Sequence, residues 1–130
     1  MVKLNNLQIV EGVTMRDVLA SAKTYLEKGW CQWTLAQDEN GEKIAEFHPR
    51  ACKWCSLGAI YASLNDINNR LPEGDRFMTV PMVSRIQDEL GKLLPEDFYG
   101  AVPQWNDCDS RTQGEVISLF DTAIASMEAA

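Results

Sequence analysis

A single histidine, His48, stands among 130 residues. That scarcity excludes the His-Glu-x-x-His metalloprotease pattern, which needs two, and leaves histidine-assisted thiol chemistry one base to draw on. Basic residues are outnumbered as well: 12 Lys and Arg against 19 Asp and Glu give a net charge of −7. Phosphate backbones are held largely by Lys and Arg, so nucleic acid is not the expected partner. Glycine is missing where a phosphate loop would need it, because Gly12, Gly29 and Gly41 stand alone. No apolar run approaches the roughly 20 residues that span a bilayer, and residues 1–12 lack the continuous apolar stretch of a signal peptide. The expectation is a cytoplasmic protein without membrane contact. Thiols stay reduced there, so Cys31, Cys52, Cys55 and Cys108 read as core fillers, metal ligands or a reactive thiol. Disulfides are the least favoured reading.

What is present describes a globular, mainly α protein. Hydrophobic content of 45% and charged content of 24% are ordinary, and neither repeats nor linkers divide residues 1–130. Thr14 and Asp17 resemble a capping box, followed at helical spacing by Met15, Val18, Leu19, Ala22 and Leu26, with Gly29 as a stop. Residues 30–36 lean toward strand, 38–41 are turn chemistry and 43–47 alternate, which predicts a small hairpin. Pro49 fits the first position of a second helix running to about Asn65, with a loop from 65 to 75. Thr79 and Pro81 open a third helix that Pro95 ends, and residues 98–109 read as irregular. Thr112 and Glu115 form a second capping box before the last helix, whose inner face carries Val116, Phe120, Ala123 and Met127. The predicted architecture is about four helices around one core, with the hairpin between the first and second helices.

Within the predicted second helix, Ala51, Cys55, Gly58, Ala59 and Ala62 share a face. Small residues there admit a close neighbour, and the favoured reading of Cys55 is buried, inert packing. Two sharper readings compete. Cys31, His48, Cys52 and Cys55 supply four zinc ligands of the right chemical type, but a helix starting at Pro49 would spread the last three over roughly 10 Å of rise. All three could then meet one ion only if the turn before Trp54 is not helical. A thiol hydrolase would pair Cys55 with His48 and orient the imidazole through Asn106, yet nothing in the sequence brings these together. The favoured reading of Asn106 and Asp107 is an Asx turn bonded to local backbone. Of the four tryptophans, Trp30 and Trp54 suit the core, while Trp105 in an irregular segment suits a contact.

Gly29-Trp30-Cys31, Trp54-Cys55-Ser56-Leu57-Gly58-Ala59, Trp105-Asn106-Asp107 and Arg111-Thr112-Gln113-Gly114-Glu115-Val116-Ile117 together make a pattern. From about Val18 to Ile124 the chain resembles an uncharacterised domain family of bacteria and their phages. The resemblance implies a shared fold, carries no activity, and leaves His48 and Cys52 outside the pattern. It directs attention to Cys55, Asn106, Asp107 and Arg111. One arrangement would unite them: the Asn-Asp turn folds over the start of the thiol helix, and Arg111 pairs with Asp107 or an anion. That arrangement serves as a clamp or as a pocket. The binding residues proposed on this basis are Trp105, Asn106, Asp107 and Arg111, with no catalytic residue and no cofactor. The functional expectation is a small acidic interaction or accessory protein, encoded by a phage or prophage and acting on an unidentified protein partner. The alternative is a small-ligand binder or thiol hydrolase with its cleft around Cys55, Asn106 and Asp107.

Overall fold

Glu11 and Gly12 turn the chain between two short strands, and only glycine takes the left-handed φ of 81° at little cost. The strands are β1 (Gln8–Val10) and β2 (Val13–Thr14), paired antiparallel. In the computed structural model, which describes residues 2–98 and 100–128, this hairpin precedes the first helix and has no counterpart in the sequence expectation. Thr14 then caps α1 (Met15–Lys28). Its backbone N–H donates to Asp17 Oδ2 at 2.9 Å, satisfying one of the orphan groups at the helix start. Met15, Val18, Leu19, Ala22 and Leu26 form the buried stripe of α1.

The hairpin between the first two helices is present and gains a third strand. β3 (Ala36–Gln37) lies between β4 (Lys43–Ile44) and β5 (Lys53–Trp54), antiparallel to both. Ala36 faces Ile44 on one side and Trp54 on the other. β5 also touches the end of α1: Trp54 N–H donates to Gly29 O at 3.0 Å and Cys31 N–H to Trp54 O at 3.2 Å. These pairings correct the expected start of the second helix. Residues 49 and 50 form a turn, 51 and 52 are irregular, Lys53 and Trp54 are strand, and α2 runs from Ser56 to Arg70. Pro49 carries a helix-start signal, but the backbone groups that helix would use are committed to β3 and Gly29. Trp54, only 5% exposed, makes that commitment worth keeping.

α2 continues five residues beyond the expected Asn65, so the loop before α3 is shorter than predicted. Asn68 fastens that loop, donating through Nδ2 to Phe77 O at 2.8 Å and accepting from Phe77 N–H at 3.0 Å. α3 (Thr79–Gly91) buries Val83, Ile86 and Leu90. The segment expected to be irregular contains a short helix, α4 (Val102–Asn106), with Pro103 in its first turn. α5 (Gln113–Glu128) follows the second capping box, in which Thr112 N–H donates to Glu115 Oε1 at 2.9 Å. The chain is thus mainly α, with five α-helices among the described residues.

α1 packs against both α2 and α5, and Met15, Leu19, Ile60, Leu90 and Phe120 are fully buried between the helices. Each such side chain contributes about 1.5–3 kcal/mol by leaving water. No described helix is long and apolar enough to cross a membrane.

Candidate functional site

α4 is short, but it delivers Asn106 to the junction of three segments. This side chain is 1% exposed. Its Oδ1 accepts from the Trp30 indole N–H at 2.9 Å, from Ser56 N–H at 3.0 Å and from Ser56 Oγ at 2.7 Å. Its Nδ2 donates to Cys31 O at 3.3 Å and to Asp107 Oδ1 at 3.0 Å. Gln32 closes the arrangement, donating through Nε2 to the carbonyls of Asn106 at 3.0 Å and Cys108 at 2.8 Å. One amide therefore ties the loop after α1, the first residue of α2 and the end of α4 together. Both ends of that amide are fully engaged, and an interior amide in that state holds structure rather than ligand.

Cys55 belongs to the same junction and differs from its expected setting. It is the N-cap of α2 rather than a residue in its second turn, and its Sγ accepts the Gly58 N–H at 3.2 Å. A helix N-terminus favours a thiolate, and the N–H groups of Gly58 and Leu57 do pull in that direction. Burial dominates: it pushes the Cys55 thiol up to about 11. Cys31 is pushed further, to about 12, again mainly by burial, and its Sγ lies 3.7 Å from Thr34 O. Both thiols are buried, whereas Cys52 and Cys108 are half-buried. Native alkylation at pH 8 is therefore expected to modify Cys52 and Cys108 only, with Cys31 and Cys55 reacting once denaturant is added. Mass spectrometry of the native and denatured digests checks this.

Within the proposed ligand quartet, Cys31 lies within electrostatic reach of Cys52 and Cys55, while His48 is engaged elsewhere. His48 lies in the turn before β5, where its Nδ1 accepts the Arg50 N–H at 3.0 Å. It faces a cavity lined also by Tyr25, Glu46 and Asp66, and Cys55 is not part of that lining. The helical stripe of His48, Cys52 and Cys55 does not exist, since these residues occupy a turn, a loop and a helix cap. Among the described residues no three His, Cys, Asp or Glu side chains gather as a metal site.

Arg111 is placed differently from expectation too. Its Nε donates to Trp105 O at 2.8 Å, its guanidinium lies 4.0 Å from the Trp105 ring centre, and its ion pair is with Glu115 at 3.2 Å. Asp107 is engaged elsewhere: its Oδ1 accepts the Trp33 N–H at 2.9 Å. Trp105 is 7% exposed and, with Arg111, Leu94 and Leu119, lines an open groove of about 740 Å³.

The bond from Trp33 to Asp107 has a visible product. Trp33 has φ 71°, the one positive φ at a non-glycine residue among those described, and the residue is 68% exposed. A bulky residue in the left-handed region costs on the order of 1–3 kcal/mol and persists only when its surroundings impose it. The ring borders a second groove, of about 510 Å³, with Phe98, Pro103, Asp107, Cys108 and Asp109. Neither Trp33 nor Gln32 stood out in the sequence. Trp33 was one of four tryptophans, and no local pattern marks a left-handed aromatic.

The family model for a family of unknown function, DUF6197, matches residues 10–126. The chain belongs to this family. Nothing matches among curated proteins or among solved structures. The DUF6197 match takes in all of the junction residues, from Trp30 to Arg111, and brings no activity with it.

Proposed function

We propose that the chain is a small, acidic, non-catalytic interaction module of the cytoplasm, docking onto a protein partner through the surface around Trp33. The observation that supports this reading is the exposure of Trp33 in a backbone conformation that Asp107 imposes and Asn106 buttresses. Holding a large aromatic in water at a left-handed φ costs the fold stability rather than adding to it. Tryptophan is the residue most enriched at binding hot spots. The surrounding groove adds Phe98 and the carboxylates Asp107 and Asp109 to the ring. Rings beside carboxylates on a chain of net charge −7 suit a partner segment presenting Lys or Arg. An accessory role in a phage or prophage is the biological setting in which we place this docking, on the strength of the motif pattern. The competing cleft around Cys55, Asn106 and Asp107 is weakened by the same geometry, because the thiol is buried and the amide is fully bonded.

The test begins with a partner captured from the source cell, then purified and measured as a binary complex. Trp33→Asn is the informative variant, since Asn tolerates the left-handed region. It is expected to keep the thermal midpoint and to weaken binding at least tenfold, which is about 1.4 kcal/mol. Val80→Ala, at another exposed apolar position, is expected to bind as the parent does. Equal affinity for the parent and Trp33→Asn would remove the proposal.

A further inference from the structure

Two cavities lie apart from the Trp33 surface, and no residue lines both that surface and either of them. The more enclosed, about 280 Å³, is bounded by α1, the turn before β5, and α2. The other, about 450 Å³, continues past Tyr61 to Thr79 at the start of α3. Glu46, Phe47, Asn65 and Asn69 line both, so the two are halves of one cleft along α2. Phe47 stands at the junction with 70% of its surface exposed.

The polar groups of this cleft are fixed against one another before any ligand arrives. Tyr25 OH donates to Asp66 Oδ2, and Asn65 Nδ2 donates to Glu46 Oε1 at 3.4 Å. The Trp54 indole N–H holds the Glu46 carbonyl at 3.1 Å. Asn65 and Asn69 are one helical turn apart, so their amides share a face of α2. Aromatic surface accompanies them: the rings of Tyr25 and Trp54 meet edge-on at 4.8 Å, and Phe47 and Tyr61 border the outer half.

Charge narrows the class of ligand. Glu46 and Asp66 share the lining of the inner half with Lys28, and each carboxylate already holds an internal donor, Asn65 Nδ2 and Tyr25 OH respectively. A phosphate would require a positive excess, which this lining lacks, and a polyamine would require several unpaired carboxylates. Neutral ligands rich in hydroxyls need something else. A carboxylate accepts from one hydroxyl while a neighbouring amide donates to the next, and an aromatic face covers the C–H surface between them. The cleft supplies all three. We infer that it binds a neutral, hydroxyl-rich ligand of monosaccharide to disaccharide size. The inner volume sits near the roughly 300 Å³ at which small-ligand pockets begin, and the outer half extends it.

The full chain, labelled with nitrogen-15, tests this by NMR titration with glucose, ribose, N-acetylglucosamine and maltose. Inorganic phosphate and spermidine serve as charged probes. At least one sugar is expected to shift the side-chain amides of Asn65 and Asn69 and the Trp54 indole N–H in a saturable way. Asn69→Ala, at an exposed position, is expected to retain the parent spectrum elsewhere and to weaken that binding about tenfold. Phe47→Ala should weaken it as well. The inference is overturned if no sugar saturates these signals, if phosphate or spermidine does so instead, or if neither substitution changes the sugar affinity.

Discussion

Gly58→Ala is expected to abolish the cooperative thermal transition at ordinary temperatures. By helix propensity alone the change would stabilise, because Gly in a helix costs about 1 kcal/mol relative to Ala. Packing decides otherwise. Gly58 lies in the first turn of α2, where the backbone of Leu35 crosses the helix. An added Cβ would overlap the Leu35 carbonyl oxygen and fall 2.8 Å from its carbonyl carbon and 3.1 Å from its Cα. Leu35 cannot easily retreat, since its carbonyl accepts the Cys55 N–H at 3.1 Å and the next residue is the buried centre of the three-stranded sheet. Backbone overlap of this kind belongs with the losses above about 4 kcal/mol, several times the propensity gain. Circular dichroism melting checks it. A midpoint equal to or above that of the parent would mean that Leu35 can move and that the sheet is not clamped to α2 as described.

Asn106→Ala should produce the second-largest loss. The substitution strands three donors at once: the Trp30 indole N–H, the Ser56 N–H and the Ser56 hydroxyl. It also removes the donor to Cys31 O. An orphaned buried donor costs about 1–3 kcal/mol, and shared relaxation brings the total to about 3–5 kcal/mol. At this chain length that is roughly 10–20 °C in thermal midpoint. Asn106→Asp should fall between the two, keeping an acceptor for all three donors while setting a carboxylate beside Asp107. If Asn106→Ala melts within a few degrees of the parent, the junction is not a structural keystone.

The two capping boxes, at Thr14 and at Thr112, were legible because their partners are three residues away. α1 and α5 followed for the same reason, their apolar faces recurring within a few turns. The start of α2 was not legible. Pro49 carries a local helix signal, and the pairings that overrule it come from Gln37 and Gly29, outside any local window. The β1–β2 hairpin escaped because its strands are three and two residues long, too short for alternation to register.

For the site, the motif pointed to Asn106, Asp107 and Arg111, but their functions follow from partners the sequence does not reveal. Ser56 is 50 positions from Asn106, and Trp30 is 76. The irregular reading of residues 98–109 made Trp105 a contact residue. In the fold its ring is stacked under Arg111, and the tryptophan displayed to solvent is Trp33. The Trp33 N–H bond to Asp107, 74 positions away, lies outside any local window.

Hydrogen exchange at the four indole N–H groups bears most directly on the claim that the Asn106 junction is structural and that its product is an exposed Trp33. The Trp30 indole, bonded to Asn106 Oδ1, should exchange only through large-scale opening, and the Trp54 indole, bonded to Glu46 O, should be protected too. The Trp33 indole should exchange at close to the rate of a free tryptophan, and Asn106→Ala should release the Trp30 indole. A protected Trp33 indole together with a freely exchanging Trp30 indole would contradict the account.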